Sequence, residues 1–134
     1  MMTSGYISLV FLLTFATLIL AGPLPPPQDA DPNSTDVQDS AAFAVESFNY
    51  FSKEENLYKI VKIVKVQQEI VGGAKYTMEV NLGRTRCLKE EDRNIESCPL
   101  MADQPKMLQC TFVILTVPWR NERRLLQSSC MPKN

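Results

Sequence analysis

The sequence predicts an α+β domain, with one long helix packed across a curved antiparallel β-sheet. Three observations carry that expectation. A single stretch, beginning at Thr35, spaces its apolar residues at the helical period. Most of the chain after it reads as β-branched or alternating runs separated by turn residues. Its length of 134 residues suits one small domain, and no Gly/Ser linker or internal repeat divides it.

The N-terminal residues stand apart from that domain. Ile7 to Ala21 is an uncharged apolar run, too short and too early for a membrane span. It reads as the core of a secretory signal peptide over residues 1–21, so the protein is expected to be secreted and extracellular. Residues 22–34, GPLPPPQDADPNS, are rich in proline and predict a flexible, extended arm. Asn33-Ser34-Thr35 is a sequon, which makes Asn33 a candidate N-glycosylation acceptor. The folded domain is expected over residues 35–134.

The helix comes first. Thr35 and Gln38 fit a capping box, and Val37, Ala41, Ala44, Val45 and Phe48 form the apolar stripe. Ser52 to Asn56, SKEEN, reads as its end. Tyr58 to Gln68 carries lysines at 59, 62 and 65, a spacing that also suits a helix, but its density of Val and Ile favours a strand. From Ala74 to Leu82 apolar and polar residues alternate, as in a half-buried strand. A third strand starts at Leu108 and must stop at Pro118, which has no ladder donor. Leu125 to Cys130 supplies the last.

Glu69-Ile70-Val71-Gly72-Gly73 lies between the first two of these strands and must turn. Two-residue hairpin turns need positive φ, which glycine reaches without a Cβ clash. A turn alone does not require two hydrophobes, Ile70 and Val71, at its tip. A second apolar tip, Pro118-Trp119, precedes the last strand. Alternate hairpins of a meander lie at one end of the sheet, so the two tips would form a wedge for a cleft.

Composition narrows the chemistry. The chain has no histidine, which removes imidazole-based nucleophilic catalysis and HExxH zinc chemistry. Glu90, Glu91 and Asp92 lie between Lys89 and Arg93 and read as a solvated loop. A net charge of −1 gives no broad field towards nucleic acid or membrane, so neither is an expected partner. Four cysteines, Cys87, Cys98, Cys110 and Cys130, imply two disulfides in an exported chain and, without a CxxC pair, no metal. Three pairings are open. Local closure, Cys87–Cys98 and Cys110–Cys130, is the simplest, each bridge being worth roughly 3 kcal/mol in the chain-entropy model. No cofactor and no enzyme activity are expected; the protein is expected to bind.

The sequence resembles the type 2 cystatins, secreted two-disulfide inhibitors of papain-like cysteine proteases. The resemblance runs from about Val37 to Cys130. It rests on AAFAVESFN at Ala41–Asn49, EIVGG, LGRT at Leu82–Thr85, Cys98-Pro99, VPW at Val117–Trp119, and the cysteines in order. The tail VPWRNERRLL looks most like the cystatin E/M branch. The resemblance implies a cystatin-like fold, the local disulfide pairing and reversible inhibition of cathepsin-type proteases. It implies that the loop from Glu69 to Gly73 enters the protease cleft without presenting a cleavable bond. Pro118 and Trp119 then cover the primed side, and the arm at Leu24, Pro25 and Pro26 fills the non-primed subsites. Such a protein acts as a monomer, with a domain-swapped dimer as the alternative state.

Two departures from the family pattern are visible. Glu69 stands where glutamine is usual, and proline occupies the glycine hinge near Pro25. Both support an alternative, a secreted cystatin-fold binding or defence protein with weak or lost inhibition. The family's legumain-binding asparagine also falls on Lys53, with Asn56 three residues on, which implies no inhibition of legumain.

Overall fold

A hydroxyl one residue earlier than expected starts the helix. In the computed structural model, which describes residues 26–91, 94–103 and 105–133, helix α1 spans Thr35–Phe51. The signal peptide over residues 1–21 and the arm positions Leu24 and Pro25 lie outside the described residues. Ser34 is the N-cap, its backbone extended and its Oγ accepting from Val37 N–H at 3.4 Å. Thr35 is already helical, and Gln38 donates its amide to the Pro32 carbonyl instead. The expected capping box at Thr35 and Gln38 is thus replaced by a serine cap, because only the residue outside the helix can reach back to the free N3 donor. Val37, Ala41, Ala44 and Val45 are buried, and Phe48 packs edge-on against Tyr58.

The sheet has five antiparallel strands in sequential order: β1 (Gln28–Asp29), β2 (Asn56–Ile70), β3 (Ala74–Leu88), β4 (Met107–Val117) and β5 (Glu122–Pro132). One face of it, carrying Tyr58, Val66, Met78, Val80, Leu82, Phe112 and Ile114, forms the core with α1. Strand β1 is new relative to the sequence reading. Two residues of the arm pair with Gln68 and Gln67, and Ala30 N–H donates to the Val66 carbonyl. A strand this short has no periodicity to read.

The lysine spacing in β2 also has a structural reason. Register shifts between Ile60 and Lys62 and between Ile63 and Lys65 each absorb one residue. Lys59, Lys62 and Lys65 therefore pair with Gly83, Asn81 and Glu79, every second residue of β3. A three-residue period becomes a strand period.

Polar groups close the ends. Buried Asn49 accepts from Tyr58 N–H and donates to the Tyr58 carbonyl, both at 2.9 Å, standing in for a neighbouring strand on that side of β2. Thr85 of the LGRT stretch is buried, donates its hydroxyl to the Leu57 carbonyl and accepts from Cys87 N–H. Disulfides join Cys87 to Cys98 and Cys110 to Cys130.

At the other end of α1, Asp36 accepts from the Tyr76 hydroxyl at 2.6 Å and from Arg123 at 2.9 Å. Burial, then the hydrogen bond to Asp36, pushes the Tyr76 hydroxyl up to about 12 from an ordinary value of 10.0. The proton is held more tightly in the folded state than in the unfolded chain. Stability from this group is complete below pH 10 and is lost as pH rises towards 12. Tyr76→Phe should therefore lower stability at neutral pH and flatten its fall between pH 10 and 12. Denaturant unfolding at several pH values checks this; parallel pH slopes for the two proteins would disprove the coupling.

Candidate functional site

The turn between β2 and β3 takes three residues, Val71 to Gly73, with Ile70 paired to Ala74 below it and Val71 N–H donating to the Gly73 carbonyl. Gly72 has φ +77°, the left-handed region that glycine enters freely. Gly73 does not share it. A Cβ on Gly73 would lie 2.4 Å from the backbone oxygen of Thr116, at the end of β4, and 3.6 Å from Val117 Cγ2. The two glycines thus answer two different demands, where the sequence reading assigned both to the turn. One makes the bend, and the other lets the first hairpin touch the second.

The second hairpin turns through Pro118–Arg120 and closes on Asn121, whose φ of 50° and N–H bond to the Pro118 carbonyl complete the bend. Val117 pairs with Glu122 across its base. The tips stand side by side, and their apolar groups point outward: Ile70 is 60% exposed, Val71 43% and Trp119 69%. Pro118 is exposed beside them.

The arm reaches the same edge. Gln28 pairs with Gln68 and Asp29 with Gln67, so the chain running back from Gln28 travels towards the first tip. By that register exposed Pro26 comes level with Ile70. Three separate segments, the arm and two hairpins, therefore meet along one end of the sheet. The sequence carried no signal for the short pairing that brings the arm there.

Glu69 does not sit at the tip. It is the second-last residue of β2, opposite Lys75, and the two side chains form a salt bridge at 3.3 Å. A two-residue turn at Gly72-Gly73 would set Glu69 opposite Tyr76; the three-residue turn moves its partner to Lys75. Asn56 opens β2 and donates its amide to the Thr85 carbonyl, while Lys53 lies exposed in the turn after α1. Asn33 is exposed in the turn before α1, where its N–H bonds to Asp31 and its side chain carries no bond among those resolved. Among the described residues no group of three His, Cys, Asp or Glu side chains could hold a metal ion.

Comparison with known proteins adds the family. Residues 25–119 match the cystatin domain, a span that includes the first hairpin and ends at Trp119 within the second turn. Cystatin-C of Rattus norvegicus is 33% identical over 139 residues, covering 96% of this chain and 98% of the relative. A cystatin of Micropechis ikaheca is 37% identical over 128 residues, covering 90% and 87%. The crystal structure of a dimeric human cystatin F aligns with a TM-score of 0.77 at 26% identity, over 85% of this chain and 92% of that one. The E/M branch suggested by the tail is not singled out by these relatives.

The contact between the tips can be broken by one methyl group. Gly73→Ala would drive a Cβ into the Thr116 carbonyl, and two backbones must part to admit it. The expected loss is about 1–3 kcal/mol, the scale of overpacking. Gly72→Ala has open space around the new atom and meets only backbone strain, about 1 kcal/mol. Denaturant melts rank the two; Gly73→Ala as stable as the parent would show that the tips do not touch.

Proposed function

The chain belongs to the cystatin family, and on that premise we propose that it is a secreted, reversible inhibitor of papain-like cysteine proteases, the cathepsins among them. Members of the family inhibit proteases and are not enzymes. The observation that carries the proposal is the exposed apolar edge at which Ile70, Val71 and Trp119 stand together with Pro26 alongside. Such a wedge blocks a cleft by filling it. Its turns are preformed by Gly72 and Asn121, so little conformational entropy is lost on docking. Trp119 offers a large aromatic surface of the kind that dominates interface energies. Contact is by surface complementarity alone, and so the block is reversible.

The individual roles follow from position. Val71 and Gly72 lead into the cleft, where the missing side chain allows close backbone approach. Pro118 and Trp119 cover the primed side, and Pro26 lies along the non-primed side, where the family resemblance also puts Leu24 and Pro25. Glu69 enters this picture already paired. Lys75 at 3.3 Å gives the carboxylate a partner inside the inhibitor, which lowers the desolvation cost of bringing it near an apolar cleft. The paired cysteines suit an oxidising compartment, in keeping with export. Exposed Asn33 is then available to carry a glycan.

Titrating papain with the oxidised protein tests the proposal: activity should fall to zero near one equivalent. Trp119→Ala should weaken inhibition by about 2 kcal/mol, roughly 30-fold. Undiminished papain activity would leave the alternative, a cystatin-fold binding protein without inhibition. Legumain should be unaffected, because Lys53 offers no amide and Asn56 is bonded into the sheet. Tight inhibition of legumain that Asn56→Ala abolishes would contradict this placement.

A further inference from the structure

The structure leaves one charged feature unused by the blocking edge. Lys59-Ile60-Val61, Lys62-Ile63-Val64 and Lys65-Val66 repeat a tripeptide along β2. An ordinary strand would send lysines three apart to alternating faces. The two register shifts cancel that, and all three stand opposite Gly83, Asn81 and Glu79; Lys59 is half-buried and borders a cavity it shares with Gln38, Glu46 and Tyr50 of α1. With a rise of roughly 3.3 Å per residue in β3, the row is about 13 Å long with a charge every 7 Å or so. None of the three takes part in an ion pair or side-chain hydrogen bond among the described residues, although Glu79 lies directly across from Lys65. Lys62 and Lys65 are exposed.

We propose that this row is a binding site for a linear, sulfated polysaccharide. Like charges set in file repel one another, and an anion bound along the row would relieve that repulsion. The row does not follow from overall basicity, since the protein carries a net charge of −1. The shape of the charge selects the ligand. Thr77, Glu79 and Asn81 flank the row on β3, and a planar anionic membrane would have to press against that carboxylate. An acidic peptide adding to the open side of β2 would need a regular backbone ladder, which the two shifts interrupt. A flexible polyanion lying along the strand needs only the side chains. Its contacts are exposed and individually weak, so binding depends on several acting together and falls steeply with salt.

Lysines and bulges on an open strand also discourage pairing with other strands. That role needs charge on the edge, but it does not need three charges set opposite every second residue of β3. The inference rests on export of the protein and is independent of protease inhibition, which the row does not touch.

Heparin affinity chromatography of the oxidised protein tests it, with elution followed across a salt gradient. Lys62→Gln with Lys65→Gln should elute at clearly lower salt, and the slope of log K against log salt should fall by about two. Lys53→Gln with Lys133→Gln removes the same net charge elsewhere and should elute like the parent. Lys62→Glu keeps a charged edge yet breaks the row, and should lose most of the retention while inhibiting papain, or failing to, as the parent does. Equal elution of the two double variants would overturn the proposal as plain ion exchange. Full retention by Lys62→Glu, with self-association of the double glutamine variant, would reduce the row to edge protection. Binding to phosphatidylserine vesicles without binding to heparin would assign the surface to membranes instead.

Discussion

The contact between Gly73 and the Thr116 carbonyl is the constraint on which the working edge depends. Strands β3 and β4 are neighbours, paired from Gly83–Met107 to Ala74–Thr116, so their ends must arrive together. What lies beyond those ends is not fixed by pairing. Any side chain at Gly73 would force the first turn away from β4, and Val71 and Trp119 would then face separate directions. With hydrogen alone at that position, two loops become one surface. The family-like motif nearest to it, EIVGG, is therefore partly a packing statement.

Stiffness behind the edge comes from the helix, held at both ends by different chemistry. Near the edge, Asp36 gathers the Tyr76 hydroxyl and the Arg123 guanidinium, tying α1 to β3 and β5. At the far end, Asn49 supplies the donor and acceptor that a missing strand would have given Tyr58. Both are buried or half-buried and both join residues far apart in sequence, so they oppose rotation of the helix on the sheet. Apolar packing alone would allow more sliding, because Ala41 and Ala44 present a smooth surface. The disulfides and the Thr85 hydrogen bonds stabilise regions away from the tips, leaving the tips free of covalent restraint.

What could be read in the sequence follows the range of each interaction. The helix stripe, the alternation from Ala74 to Leu82 and the stop at Pro118 are local patterns, and each appears in the structure where the pattern put it. The two apolar tips were legible for the same reason. Features that depend on register or on a partner elsewhere were not. Gln28–Asp29 becomes a strand only because β2 offers an open side there. Lys75 meets Glu69 only once the loop length is known, and Ser34 displaces Thr35 as the cap through backbone geometry rather than residue type. The lysine period remained ambiguous between helix and strand because a bulge leaves no mark in composition.

The proline-rich arm alters the balance of the proposed mode of action. A glycine hinge lets an arm swing to suit many partners and loses conformational entropy when it settles. Proline fixes φ and favours the extended form before any partner arrives, so less is lost on docking. The short pairing of β1 with β2 adds to this by setting the direction in which the arm leaves the sheet. An arm so constrained adapts poorly to a cleft of different shape. In the proposed mode of action its contribution would be concentrated on partners whose non-primed side already matches, while the hairpins would supply the part of the affinity common to all of them. Selectivity among proteases would reside in the arm, and the general capacity to block a cleft would reside in the contact between two loops that one glycine permits.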